Sequence, residues 1–159
     1  MHAPTDPLSL SLSGQYVKTS GSRRILLQHL GADTLVRPCY LPSAFPLRVF
    51  CADASARPLE SPTKVDRYVE TDVGGPLCFA GDVIASNRLL PPEIAPGSLV
   101  IVPDVGAYTL SMFSRYNSRE FPSVFGYTRT ETGGYQIAVL RKGETLDDLV
   151  EFWSPPSGT

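Results

Sequence analysis

At 159 residues the chain has room for one domain with a real core, burying roughly 70% of its unfolded surface. It is too short for a (β/α)8 barrel, which takes about 250 residues. Lysine and arginine number 14 against 16 acidic residues, a net charge of −2, so no basic field exists to hold nucleic acid or an anionic membrane. The 15 prolines and 13 glycines exceed a usual combined share of roughly 12% and call for many short elements joined by turns, hence a mainly β domain.

The N-terminus Met1-His2-Ala3-Pro4-Thr5-Asp6-Pro7 has neither the basic nor the apolar stretch of a secretion signal, and Asp6 is foreign to a transit peptide. Leu8-Ser9-Leu10-Ser11-Leu12-Ser13 alternates strictly, which predicts a half-buried strand with leucines inward and serines outward. After a turn at Ser20-Gly21-Ser22, Ile25 to Leu30 reads as a strand, although its length also allows a helical turn. Pro38, Pro42 and Pro46 forbid a long helix over 35–47. Leu47 to Cys51 reads as another strand, and residues 52–64, holding Pro58 and Pro62, as the best loop. Val65 to Val73 alternates apolar with polar throughout, the clearest amphipathic strand, and Gly74-Gly75-Pro76 breaks it.

Pro96-Gly97 fits a type II turn that launches Ser98-Leu99-Val100-Ile101-Val102, an apolar run suited to the centre of a core. Ala107, Leu110 and Phe113 recur at three-residue spacing, which predicts a short helix over 107–116 with Asp104 near its start. The N–H groups at such a start can hold a phosphate. Thr132-Gly133-Gly134 separates two apolar runs as a hairpin turn. Thr145-Leu146-Asp147-Asp148 is a capping-box pattern for a helix over about 145–152. The three cysteines, Cys39, Cys51 and Cys78, cannot all pair and show no C-x-x-C spacing. That argues against a disulfide framework or a metal site and for a reducing, cytoplasmic compartment. No apolar run approaches the roughly 18 residues of a membrane span.

Two segments are unusual as a pair: Val73-Gly74-Gly75-Pro76-Leu77-Cys78-Phe79-Ala80-Gly81-Asp82-Val83-Ile84, and Asp104-Val105-Gly106-Ala107-Tyr108 continuing through Tyr116-Asn117-Ser118-Arg119. Between them lie Leu89-Leu90-Pro91-Pro92 and Pro96-Gly97-Ser98-Leu99-Val100. This order resembles the C-terminal β-domain of the fold-type III, pyridoxal-phosphate-dependent decarboxylases of diaminopimelate, ornithine and arginine, the diaminopimelate branch in particular. There G-P-x-C-x-x-x-D precedes D-x-G-A-Y and a Y-N-S-R stretch, and the tail from Gly134 to Trp153 resembles the family's ending. The resemblance is specific over about 73–153 and weak before residue 65.

The resemblance implies a mainly β, Greek-key β-barrel or sandwich of the alanine racemase C-terminal-like type, with short helices near 107–116 and 145–152. Residues 1–64 would contribute the N-terminal strands and the Pro-rich loop, and 65–159 the decarboxylase-like core. It also implies pyridoxal phosphate as electron sink, a small amino-acid substrate, and a dimeric assembly in which this domain meets a partner's active site. Cys78 stands at the position of the family's proton donor, and a thiol near pKa 8.5 is a workable acid. Read alone, Cys78 also fits a small buried hydrophobe. Tyr108 stands where the family's tyrosine meets cofactor and substrate; a phenol can donate to a phosphate while its ring packs, and a core tyrosine is the other reading. Asp82 and Asp104, each beside a turn, fit turn chemistry as well as function. Asn117 and Arg119 fit an interface or a loop.

Three departures qualify the resemblance. Phe79 replaces the acidic residue that would pair with the distal amino group of a diamino substrate, which points to a substrate neutral or apolar at that end. Arg37-Pro38-Cys39-Tyr40 is similar to an R-P-x-x-Y substrate segment, but the tyrosine comes one residue early, and Arg37 reads as a surface cation. The family's cofactor lysine lies in a preceding (β/α)8 barrel, whereas Lys18, Lys64 and Lys142 lack the burial that activates such a lysine. The isolated chain is therefore expected to be inert, binding pyridoxal phosphate only with a barrel domain supplied in cis or trans. The competing reading is a non-catalytic β-barrel binding or scaffold protein derived from the same family.

Overall fold

In chain order the elements are β1 (Ser9–Ser20), β2 (Arg23–Gln28), α1 (Val36–Tyr40), β3 (Phe50–Ala52), β4 (Val69–Gly74), β5 (Val83–Leu90), β6 (Leu99–Pro103), β7 (Val124–Arg129), β8 (Tyr135–Arg141) and α2 (Leu146–Trp153). The computed structural model describes residues 9–60 and 62–154. It divides into a first unit ending at Ser114 and a second beginning at Arg115.

The first unit is built on a six-stranded sheet in the order β3-β6-β1-β2-β4-β5. β1 serves two neighbours in turn. Its first part pairs antiparallel with β6, Ser9 opposite Pro103, and its second part with β2, Ser20 opposite Arg23. A register shift between Gly14 and Tyr16 falls inside the β1–β2 ladder. Such irregularities bend a strand and let it serve two ladders. β2 and β4 are parallel, Arg24 opposite Thr71, and β4 pairs antiparallel with β5. The strand expected over Leu8–Ser13 is formed from Ser9 onward, while Leu8 and the side-chain directions of this stretch lie outside what the structure describes.

The core gathers Leu26, Leu30, Leu35, Val73, Ile84, Val100, Val102 and Val105, among others. Each fully buried aliphatic side chain stabilises the fold by roughly 1.5–3 kcal/mol. β6 is an interior strand, second in the sheet between β3 and β1, with Val100 and Val102 fully buried and Leu99 and Ile101 partly buried in alternation. The turn before it is closed by the Ser98 N–H donating to Ala95 O at 3.0 Å, and Gly97 supplies φ +89°.

Several expectations are corrected. The mainly β architecture stands as expected, and of the two forms named for it the barrel is not closed: the edge of β3 is covered by its own following loop, where Leu59 N–H donates to Cys51 O at 2.9 Å and Ala52 bridges Pro58. The strand foreseen over 65–73 starts only at Val69, and Pro62–Arg67 is a 3-10 helix. Its alternation also fails, because Thr71 and Asp72 are buried while Val65 and Val69 are exposed. Long-range partners explain this: Asp72 pairs with Arg23 and accepts the Asn87 N–H at 3.0 Å, and the Thr71 hydroxyl accepts from the Arg24 guanidinium at 3.4 Å while donating locally to Val69 O at 2.9 Å. The helix foreseen over 107–116 is not formed. Its backbone turns left-handed at Tyr108 (φ +58°), and 3-10 turns follow at Leu110–Met112 and Tyr116–Ser118. Three-residue spacing suits a 3-10 turn as well as an α-helix. β5 lacked a strand signal because Ser86 and Asn87 interrupt it, and Asn87 takes φ +53°.

In the second unit β7 and β8 form the expected hairpin, Arg129 opposite Tyr135, with Gly133 at φ +84° in the turn. Both strands are largely solvent-facing. α2 carries the full capping box: the Thr145 side chain accepts from Asp148 N–H, and the Asp148 carboxylate accepts from Thr145 N–H at 2.7 Å. The Glu144 carboxylate pairs with Arg115 and accepts the Phe121 N–H at 2.9 Å.

Candidate active site

Cys78 lies in the turn between β4 and β5, and its side chain is exposed. The other two thiols differ sharply. Burial, with the Asp82 and Asp33 carboxylates added, pushes the Cys39 thiol up to about 12. Burial, with the Glu60 carboxylate added, pushes Cys51 up to about 12, against a smaller opposing pull from Arg24. Both are held as neutral thiols at any ordinary pH, so Cys78 is the accessible sulfur of the three.

Phe79 turns its ring back over Gly81, where an added Cβ would come 2.4 Å from the ring. A larger residue at position 81 would push the Phe79 ring from this position. The ring, 37% exposed, stacks on Tyr40 of α1 with centroids 5.8 Å apart and planes 30° apart. Three residues earlier on the same helix, the Arg37 guanidinium lies 5.1 Å from the centroid of the Tyr108 ring. This distance is within cation–π range. Phe45 meets that ring edge-on at 6.1 Å, and the Arg37 N–H donates to Tyr108 O at 3.4 Å.

α1 is thus the element on which the two motif segments converge, Phe79 on one side and Tyr108 on the other. The correction to the sequence reading is here: Arg37 is half-buried over an aromatic ring rather than a free surface cation, and Tyr40, one residue early against the pattern, still reaches the Cys78 turn. The Arg37-Pro38 pair carries the signal, and the early tyrosine obscures it. Asp104 takes φ +60° and pairs with Arg48 in an exposed ion pair, which is turn chemistry. Asn117 and Ser118 are left-handed turn residues of the second unit.

Comparison with known proteins decides the family. The family described as pyridoxal-dependent decarboxylase, C-terminal sheet domain, matches residues 10–106. The chain belongs to that family. It is 36% identical to the diaminopimelate decarboxylase of Escherichia coli over 143 residues, covering 84% of this chain and 31% of that protein. A crystal structure of a diaminopimelate decarboxylase superposes with a TM-score of 0.76 at 31% identity, over 91% of this chain and 33% of that one. The Helicobacter pylori diaminopimelate decarboxylase complexed with L-lysine gives a TM-score of 0.68 at 28% identity, over 91% and 31%. The chain therefore spans about a third of the length of the decarboxylases it matches. The family-matched stretch contains Arg37, Tyr40, Cys78 and Phe79 and stops just short of Tyr108.

The decarboxylase domain's own residues fit a pyridoxal phosphate in part. The half-exposed Tyr108 phenol and the adjacent Arg37 guanidinium form a donor set suited to a phosphate or carboxylate. Lys18 and Lys142 are solvent-exposed and distant in sequence from both motifs, a setting that does not lower a lysine's pKa for covalent cofactor attachment. Among the described residues no helix is long and apolar enough to cross a membrane.

Proposed function

We propose that this domain supplies the proton-donor face of an amino-acid decarboxylase whose cofactor is held by a (β/α)8-barrel domain, in cis or in trans, within a dimer. The observation that carries the reading is the convergence on α1: the Cys78–Phe79 turn meets Tyr40, and Tyr108 meets Arg37. Bound pyridoxal phosphate supplies an electron sink for the carbon that loses CO2. The proton that replaces the carboxyl comes from Cys78 Sγ, an exposed thiol on a short turn. Tyr108 Oη, on the ring that the Arg37 guanidinium faces, donates to an anionic oxygen of cofactor or substrate. The Phe79–Tyr40 pair forms an aromatic wall beside the thiol and offers a distal ammonium no carboxylate, so the substrate is an amino acid neutral or apolar at its far end. This differs from the L-lysine held by the Helicobacter pylori relative.

The test joins the chain to, or co-expresses it with, a pyridoxal-phosphate-binding barrel and measures CO2 release from a panel of amino acids. The chain alone with pyridoxal phosphate is expected to show neither Schiff-base absorbance nor CO2. In the assembly, Cys78→Ala should slow release by about 10²–10⁴-fold, the range of general acid catalysis. Unchanged turnover would refute the role given to Cys78.

A further inference from the structure

Asp82 is 5% exposed, and burying a carboxylate is tolerated only when its oxygens are hydrogen-bonded. Its Oδ1 accepts the Ala32 N–H at 2.7 Å, and its Oδ2 accepts the Leu77 N–H at 2.7 Å. Ala32 lies in the segment that enters α1; Leu77 immediately precedes Cys78. The Asp82 backbone closes the same turn, its carbonyl accepting Gly75 N–H at 2.9 Å and its N–H donating to Phe79 O at 3.0 Å. Room for the carboxylate depends on both flanks. A Cβ at Gly75 would come 2.3 Å from Oδ2, and one at Gly31 would come 2.8 Å from Oδ1. One side chain therefore ties the Leu77–Asp82 turn to Ala32, 50 residues before Asp82, through hydrogen bonds from backbone N–H groups.

We propose that Asp82 is a positioning residue that fixes the Cys78 turn to the backbone entering α1, so that Cys78, Phe79, Arg37 and Tyr40 are held as one body. Its meaning for proton delivery rests on the reading of Cys78 given above; the mechanical coupling does not. A thiol set loose by about 1 Å loses on the order of 10²-fold in rate, which is what such a clamp prevents.

Native-state amide hydrogen exchange on the full 159-residue chain tests the coupling without turnover, so its outcome is separate from that of the Cys78→Ala assay. Asp82→Asn keeps the shape and one acceptor but places an amide N–H2 against the second backbone N–H. Gly75→Ala leaves the charge in place and pushes the carboxylate aside. In both variants the amides of Ala32 and Leu77, those of Gly75, Cys78 and Phe79 in the turn, that of Cys39 on α1 and that of Leu41 just after it should lose at least tenfold in protection together. The amides of β2 and β4 should keep theirs. Loss confined to Ala32 and Leu77, or an equal loss across β2 and β4 in both variants, overturns the proposal.

Discussion

The guanidinium of Arg37 lies over the ring of Tyr108, 5.1 Å from its centroid, while the Tyr108 backbone is held at φ +58°. A bulky residue in the left-handed region costs on the order of 1–3 kcal/mol and persists only where its surroundings impose it. Tyr108→Gly should therefore be about 1 kcal/mol more stable than Tyr108→Ala in urea denaturation, since both lose the ring but only glycine accepts the backbone. Equal stability of the two variants would mean that the conformation carries no strain.

Thiol chemistry should single out one cysteine. In the native chain at neutral pH a disulfide reagent such as dithiobis(nitrobenzoic acid) should titrate one thiol quickly, and Cys78→Ser should abolish that phase. Denaturation should expose Cys39 and Cys51 as well. A fast phase surviving in Cys78→Ser would place an accessible thiol elsewhere.

The same two buried thiols set an alkaline limit. In the unfolded chain a thiol ionises near its ordinary value of 9.0; in the fold, Cys39 and Cys51 stay protonated up to about 12. A raised folded value means that the stabilisation is complete below pH 9 and is lost as pH climbs from 9 toward 12. Urea midpoints should be level below pH 9 and fall above it. The double variant Cys39→Ala with Cys51→Ala, although less stable at neutral pH, should show a flatter alkaline limb.

At the acid end the second unit has its own signature. The Asp148 carboxyl is held below its ordinary 3.8, first by the Thr145 backbone N–H and then by the Thr145 hydroxyl. A depressed value means that its stabilisation is present above 3.8 and disappears as pH falls through the lower folded value. Amide shifts at Thr145 and Leu149 should track that titration, and Asp148→Asn should remove it. A normal carboxyl titration at Asp148 would show that the capping box is not formed in solution.

Substrate choice in the barrel-completed enzyme should follow position 79. Phe79→Glu puts a carboxylate beside Tyr40, and one charged hydrogen bond is worth about 1.5–3 kcal/mol. The ratio of kcat/KM for diaminopimelate over an apolar amino acid should rise roughly 10- to 150-fold. Efficient turnover of diaminopimelate with Phe79 intact would remove position 79 from the selection.

Local signals were readable and long-range ones were not. The β7–β8 hairpin and the Thr145 cap stand in the sequence because the turn and the capping pattern lie within a few residues of each other. β4 was misjudged because the polarity of Thr71 and Asp72 is satisfied by Arg23, Arg24 and Asn87, residues on other strands. Cys78 and Tyr108 could be singled out through motif order alone. Arg37 and Tyr40 lie in a segment similar to a substrate motif, but their place beside the other two motifs depends on contacts made by a five-residue helix with residues about 40 to 70 positions away.

The parallel pairing of β2 with β4 decides when the site comes into being. Strands in parallel register cannot be joined by a tight turn, and here the whole of residues 29–68 must be looped out before Arg24 meets Thr71. Long-range pairing of this kind is slow, because chain entropy is lost before any contact repays it. α1 follows β2 and the Cys78 turn follows β4, so the ladder that pairs these strands also brings helix and turn together. Stacking of Phe79 on Tyr40 thus reports on that ladder as well as on the site: a chain in which β2 and β4 were unpaired would keep its local hairpins while helix and turn lay apart.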